Sequence, residues 1–127
     1  MIHKVALLFF FCITLHSFLW QTPTGISVKQ GKNVTIICPL KTKKNIGVMT
    51  WYKQNSGQGV QLLLNYNFTV PPHVRYGEGI NPHKYVVLPK TRPRAHYRLR
   101  IINVEEKDTA TYYCGYSKKN QGNKNMP

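Results

Sequence analysis

Two cysteines 76 positions apart, Cys38 and Cys114, constrain this chain more than any other feature. They become a pair only once the N-terminus has been read. Residues 1–20 (MIHKVALLFFFCITLHSFLW) carry one lysine, Lys4, and then an apolar run from Val5 onward, the order of a secretory signal peptide. That run includes Thr14, His16 and Ser17 and falls short of the roughly 20 apolar residues of a spanning helix. We therefore expect a cleaved leader, cut after Ser17 or Trp20, rather than a retained anchor. Cys12 leaves with it. In an oxidising compartment the two remaining thiols read as one disulfide. Its closure contributes on the order of 4 kcal/mol by restricting the unfolded chain. Metal ligation is the competing use, but neither cysteine has a second ligand at C-x-x-C spacing. His73, His83 and His96 are not paired either, so no zinc site is expected.

Short runs of alternating polarity fill the rest. Val34, Ile36 and Cys38 share one face against Asn33, Thr35 and Ile37, and Tyr97, Leu99 and Ile101 alternate with Arg98 and Arg100. Met49 and Trp51 turn away from Thr50 and Tyr52, and further runs occur at 61–66, 85–88 and 111–116. Turn clusters separate them: 55–59 (NSGQG), Pro71 and Pro72, 77–79 (GEG) and 90–93. No window of a dozen residues carries a helical period. With 127 residues and 42% hydrophobic content there is material for one core, so the pattern predicts a single all-β antiparallel sandwich or barrel.

The placement of aromatics selects among sandwiches. Trp51 follows Cys38 by thirteen positions, and Tyr112 stands two before Cys114, after Asp108. An inter-sheet disulfide, an indole packed on it and a corner tyrosine are the parts of an immunoglobulin-like sandwich, with Leu99 completing the expected core. The cysteine spacing leaves room for the extra strands of the variable type. Trp51, Tyr52, Lys53 and Gln54, then Gly57 and the leucines 62–64, resemble the antigen-receptor variable framework. The stretch 79–85 (GINPHKY), followed by 97–101 (YRLRI) and Glu106, Lys107 and Asp108, is similar more narrowly to the T-cell receptor gamma chain. The resemblance covers about 28–114. Beyond Cys114 neither a Phe-Gly-x-Gly bulge nor a G strand is found, so residues 21–116 are expected to form the V-set domain and 117–127 a tail or third-loop stump.

This resemblance implies a function. A V-set domain docks a second variable domain, here a delta-type chain, through a face matching Tyr52, Gln54, Val60, Leu62 and Tyr113. It meets antigen through loops at one end. Residues 41–48 match the first loop, with Lys43, Lys44 and Asn45. Residues 65–73 match the second, with Tyr66 and Asn67, and Gly115 and Tyr116 begin the third. The resemblance also implies a structural ion pair between Lys84 and Asp108. It places the chain on the extracellular side of the plasma membrane within a receptor complex, with signalling supplied by downstream segments, and because no second apolar run follows the leader no anchor is expected within these residues. The innate V-set receptors of the novel immune-type class share much of the same framework and form the alternative.

Charge supports a different class of function. Lysine and arginine number 18 against 4 acids, for a formal +14, and Lys90, Arg92, Arg94, Arg98 and Arg100 fall within eleven positions. Such a stripe suits a polyanion. Nucleic acid fits poorly with export. The four acids are Glu78, Glu105, Glu106 and Asp108, and no Ser-His or Cys-His pair accompanies them, so neither an enzyme nor a cofactor is expected. Asn33 and Asn67 open N-glycosylation sequons, and both side chains are expected to face solvent.

Overall fold

The computed structural model describes residues 2–7, 24–40 and 46–118. Among these, the strands are β1 (Ile2–Leu7), β2 (Thr24–Lys29), β3 (Val34–Cys38), β4 (Val48–Gln54), β5 (Gln61–Asn67), β6 (His73–Tyr76), β7 (Tyr85–Leu88), β8 (Tyr97–Ile101) and β9 (Thr111–Ser117). A 3-10 turn, Glu106–Asp108, precedes β9. One sheet has the order β2-β1-β9-β4-β5-β6 and the other β3-β8-β7. The architecture is the expected all-β sandwich of two layers.

Alternation builds the interior. In the smaller sheet Val34, Ile36 and Cys38 of β3 and Tyr97, Leu99 and Ile101 of β8 are buried, and Ile36 stands opposite Leu99. The larger sheet supplies Met49, Trp51, Leu63, Leu64 and Tyr112, all at or near zero exposure. Two successive leucines face inward because the β4–β5 register shifts between Trp51 and Tyr52. Leu64 opposes Trp51, Leu62 opposes Tyr52, and Leu63 is the extra residue of a bulge. Burying each such side chain contributes about 1.5–3 kcal/mol. The Cys38–Cys114 bridge, with Cα atoms 5.9 Å apart, joins the sheets where Trp51 lies beside Cys114 in the register.

Two poles follow from the register. Cys38 pairs with Tyr97 at one end of the smaller sheet, and Val34 with Ile101 at the other. The first end is the loop pole, where 89–96 leads into β8. The second is the base pole, where the chain leaves β8 for the 3-10 turn.

Several local outcomes differ from the sequence reading. β2 and β6 are edge strands with weak alternation and were not expected. β5 runs through Asn67 and β6 begins at His73, so the second loop shrinks to 68–72. β9 runs through Ser117, one residue beyond the expected domain end. Within the expected leader, β1 pairs antiparallel with β2 and parallel with β9 at Ala6↔Thr111 and Leu7↔Tyr112. The cleavage expected after Ser17 or Trp20 would remove that strand. The expected tail beyond Lys118 lies outside the described residues.

Candidate functional site

The outward side of β4, β5 and β9 gathers the residues expected to meet a second domain. Tyr52 stands directly opposite Tyr113 on one neighbour and Leu62 on the other. All three are half-buried, and Val60, just before β5, is 56% exposed. Gln54 is held at both ends of its amide. Its Oε1 accepts from the Tyr113 hydroxyl at 2.9 Å, and its Nε2 donates to the Gln58 carbonyl at 3.0 Å. Further along the same face, the Thr50 hydroxyl donates to Asn65 Oδ1 at 2.7 Å, beside Gly115. Thr50 and Asn65 were missed by the sequence reading, although Thr50 shares the phase of Tyr52. Because Gln54 and Asn65 already have partners within the chain, a surface laid over this face leaves few polar groups unsatisfied.

The loop pole is built on aromatics. Tyr66 meets Phe68 edge-on with centroids 5.0 Å apart, and Phe68 lies 5.3 Å from Tyr97. The Lys90 ammonium sits 4.6 Å over the Tyr97 ring, a cation–π contact. These residues, with Val87 and Pro72, line a cleft of about 370 Å³. Tyr116 reaches across to donate its hydroxyl to the Ile46 carbonyl. Between them Gly47 has φ +98°, and a Cβ there would collide with the Ser117 carbonyl, so only glycine lets the first loop re-enter β4 beside β9. Lys43, Lys44 and Asn45 lie outside the described residues, whereas Tyr66, Gly115 and Tyr116 are half-buried.

The sequons part company. Asn33 is exposed, its Oδ1 accepting from the Asn103 amide at 2.9 Å. Asn67 is half-buried rather than solvent-facing, because it is a ladder position between Val48 and His73 and not a loop residue.

The base pole is a closed polar network. Asp108, 1% exposed, accepts from Lys84 Nζ at 2.7 Å and from the Glu105 amide at 2.7 Å. Lys84 Nζ also donates to the Asn103 carbonyl. The Tyr112 hydroxyl donates to the Asp108 carbonyl at 2.7 Å, which pins the corner. Asn55 Nδ2 donates to the Lys107 and Thr109 carbonyls and ties the β4–β5 turn to the same corner. Burial pushes the Tyr112 and Tyr85 hydroxyls well above the ordinary tyrosine range, helped at Tyr112 by the neighbouring Tyr85 and then Asp108, and at Tyr85 by the Asp108 charge. Burial also holds the Lys53 ammonium below its usual range, with the Asp108 charge opposing. Among the described residues no cluster of side chains is arranged to hold a metal, and no helix is long and apolar enough to cross a membrane.

Comparison with known proteins agrees with this geometry. The chain is 30% identical over 99 residues to the human T cell receptor beta variable 3-1, covering 76% of this chain and 78% of that one. It is 32% identical over 90 residues to the human T cell receptor gamma variable 3, covering 71% and 73%. Among solved structures, the extracellular fragment of novel immune-type receptor 11 from Ictalurus punctatus matches with a TM-score of 0.53 at 26% identity, covering 72% of this chain and 80% of that one. The immunoglobulin V-set domain profile matches residues 21–126, most of the sequence. With its two-sheet sandwich, its bridged cysteines under Trp51 and its corner tyrosine, this chain belongs to the immunoglobulin V-set family.

Proposed function

We propose that this domain is the variable region of a gamma-like antigen-receptor chain. It is exported by its leader, displayed outside the cell within a receptor complex and paired through the β4, β5 and β9 face with a delta-type variable domain. The observation that carries this reading is the Tyr52–Tyr113–Leu62 contact triplet with Gln54 fixed behind it. Amphipathic rings that are half-covered in the lone domain, beside polar groups already satisfied, are the composition of an interface core. Ligand then meets the loop pole, at the short 68–72 loop and the start of the third loop. Asn33 is the better of the two glycan sites, because its side chain is exposed.

The test is co-expression with a delta variable domain, each supplied with a G strand, followed by sizing at micromolar concentration. A one-to-one complex is expected. Tyr113→Ala should weaken it by at least about 30-fold, a hot-spot effect, while Tyr113→Phe weakens it less. Persistent monomer refutes the pairing.

A second reading has its own support in the likeness to a novel immune-type receptor fragment. In it the domain is a germline-fixed innate receptor. Genomic sequence following the Cys114 codon separates the two: a recombination signal supports the first and an exon for a spanning helix the second.

A further inference from the structure

The outer face of the smaller sheet has no role in the pairing just described, and its chemistry is unlike that of the opposite side. Because Tyr97, Leu99 and Ile101 point inward, Arg98 and Arg100 point outward from the central strand β8. Arg98 lies between Ile37 and Leu88 in the register, and Arg100 between Thr35 and Val86. Each arginine is steadied by one contact: an Arg98 guanidinium nitrogen donates to the Pro89 carbonyl at 2.9 Å, and Arg100 Nε lies 3.4 Å from Thr35 Oγ1. At the loop-pole end of this face, 89–96 adds Arg92 and Arg94, both exposed around a turn closed by the Ala95 amide on the Arg92 carbonyl. Among the described residues none of these four arginines has a carboxylate partner.

The acids are all elsewhere. Glu105, Glu106 and Asp108 follow β8 at the base pole. Glu78 precedes β7, whose first residue, Tyr85, pairs with Ile101 at that same end. The molecule is therefore charge-polarised along β8, with a line of guanidinium groups running from the middle of the sheet into the 89–96 loop.

We propose that this line is a binding site for a linear sulfated polysaccharide of the glycosaminoglycan class. Residues two apart on a strand stand roughly 7 Å from one another, so Arg98 and Arg100 present a row rather than a pocket. Guanidinium forks match the oxyanions of sulfate in a bidentate way that an ammonium does not. A folded partner protein would want an apolar centre, and this face exposes only Ile37 and Val86, singly and at its margins. Anionic lipid is concentrated on the cytoplasmic leaflet, away from an exported domain. Each sulfate engaged releases counterions from the polymer, so affinity is set by the number of arginines in line.

The test uses the whole chain, refolded with its bridge closed, on immobilised heparin and by titration with a heparin oligosaccharide at several salt concentrations. Binding is expected at 0.15 M NaCl, with a log–log salt slope of about −3 to −4 for four contacts. Arg98→Gln with Arg100→Gln, and separately the milder loop pair Arg92→Gln with Arg94→Gln, should each weaken binding about tenfold or more and flatten the slope by about 1.5. Lys29→Gln with Lys32→Gln removes equal charge at the base pole and should leave affinity within about twofold. Melting curves confirm that each variant is folded. Equal losses in all three variants would reduce the effect to net charge and overturn the proposal. So would undiminished binding to desulfated heparin, no binding by the parent chain at 0.15 M NaCl, or binding to phosphatidylserine vesicles in place of heparin. None of these outcomes bears on the pairing face, whose test is separate.

Discussion

The two poles of the sandwich use charge in opposite ways. At the base, Asp108 is buried and answered by Lys84 and a backbone amide, Glu105 is paired with Lys107, and two tyrosine hydroxyls are locked away from solvent. Beyond the other end of β8, Arg92 and Arg94 are exposed with no acid nearby, and the adjoining loops pack aromatics instead. A buried charge is constrained because leaving it unpaired is costly, whereas an exposed one is screened and contributes little to folding. Changes at the base should therefore alter stability and spare polyanion binding, and changes at the loop pole should do the reverse.

The largest effect expected from this contrast is Lys84→Met. It leaves Asp108 buried without its cation and should lower the unfolding free energy by about 3 kcal/mol, measured by denaturant titration, with heparin affinity unchanged in the folded fraction. A loss under ~1 kcal/mol would place the pair among ordinary surface bridges.

Alkaline titration sharpens the same comparison. The Tyr85 and Tyr112 hydroxyls are raised in the folded state, so their contribution is complete below the unfolded tyrosine pKa of about 10 and is lost as pH climbs beyond it. Each raised tyrosine removes about 1.4 kcal/mol per pH unit above that point. Lys53 has the opposite sign, since its lowered pKa makes stability rise with pH until the unfolded lysine titrates near 10.4. Above about pH 11.5, where the unfolded lysine has lost its proton, the two tyrosines outlast Lys53. Tyr85→Phe should flatten the decline by one proton's slope, and an unaltered slope would show that the ring ionises freely in the folded state.

The smallest effect belongs to the loop pole. Arg92→Gln with Arg94→Gln should shift stability by no more than about 0.5 kcal/mol by the same denaturant titration. A larger change would mean that the 89–96 loop is held by its arginines and that the division of labour between poles is false.

The sequence reading reached the interior because inward positions obey a period of two and carry branched or aromatic side chains. Ile36 and Leu99 were placed by phase, and Trp51 and Tyr112 by their spacing to the two cysteines as well. It failed where phase is weak. His73–Tyr76 alternates only between half-buried and exposed, so an edge strand reads as loop, and Asn67 was sent to solvent for the same reason. Ile2–Leu7 falls in a segment whose hydropathy speaks for export, and pairing with β2 and β9 leaves no separate signal in so apolar a run. The double tether on Gln54 and the Asn55 clamp were also invisible, because their partners lie at the turn carbonyl of Gln58 and more than fifty positions away.

The amino-acid order determined the fold class, the bridge, the core and the excess of positive charge, since each rests on spacing or on composition. Tertiary structure alone decided which surface each outward residue joined. Alternation says that Tyr52 and Arg98 both point away from the core, but only strand order puts one beside Tyr113 and Leu62 and the other on the opposite sheet. That assignment comes from long-range pairing, which local periodicity does not encode.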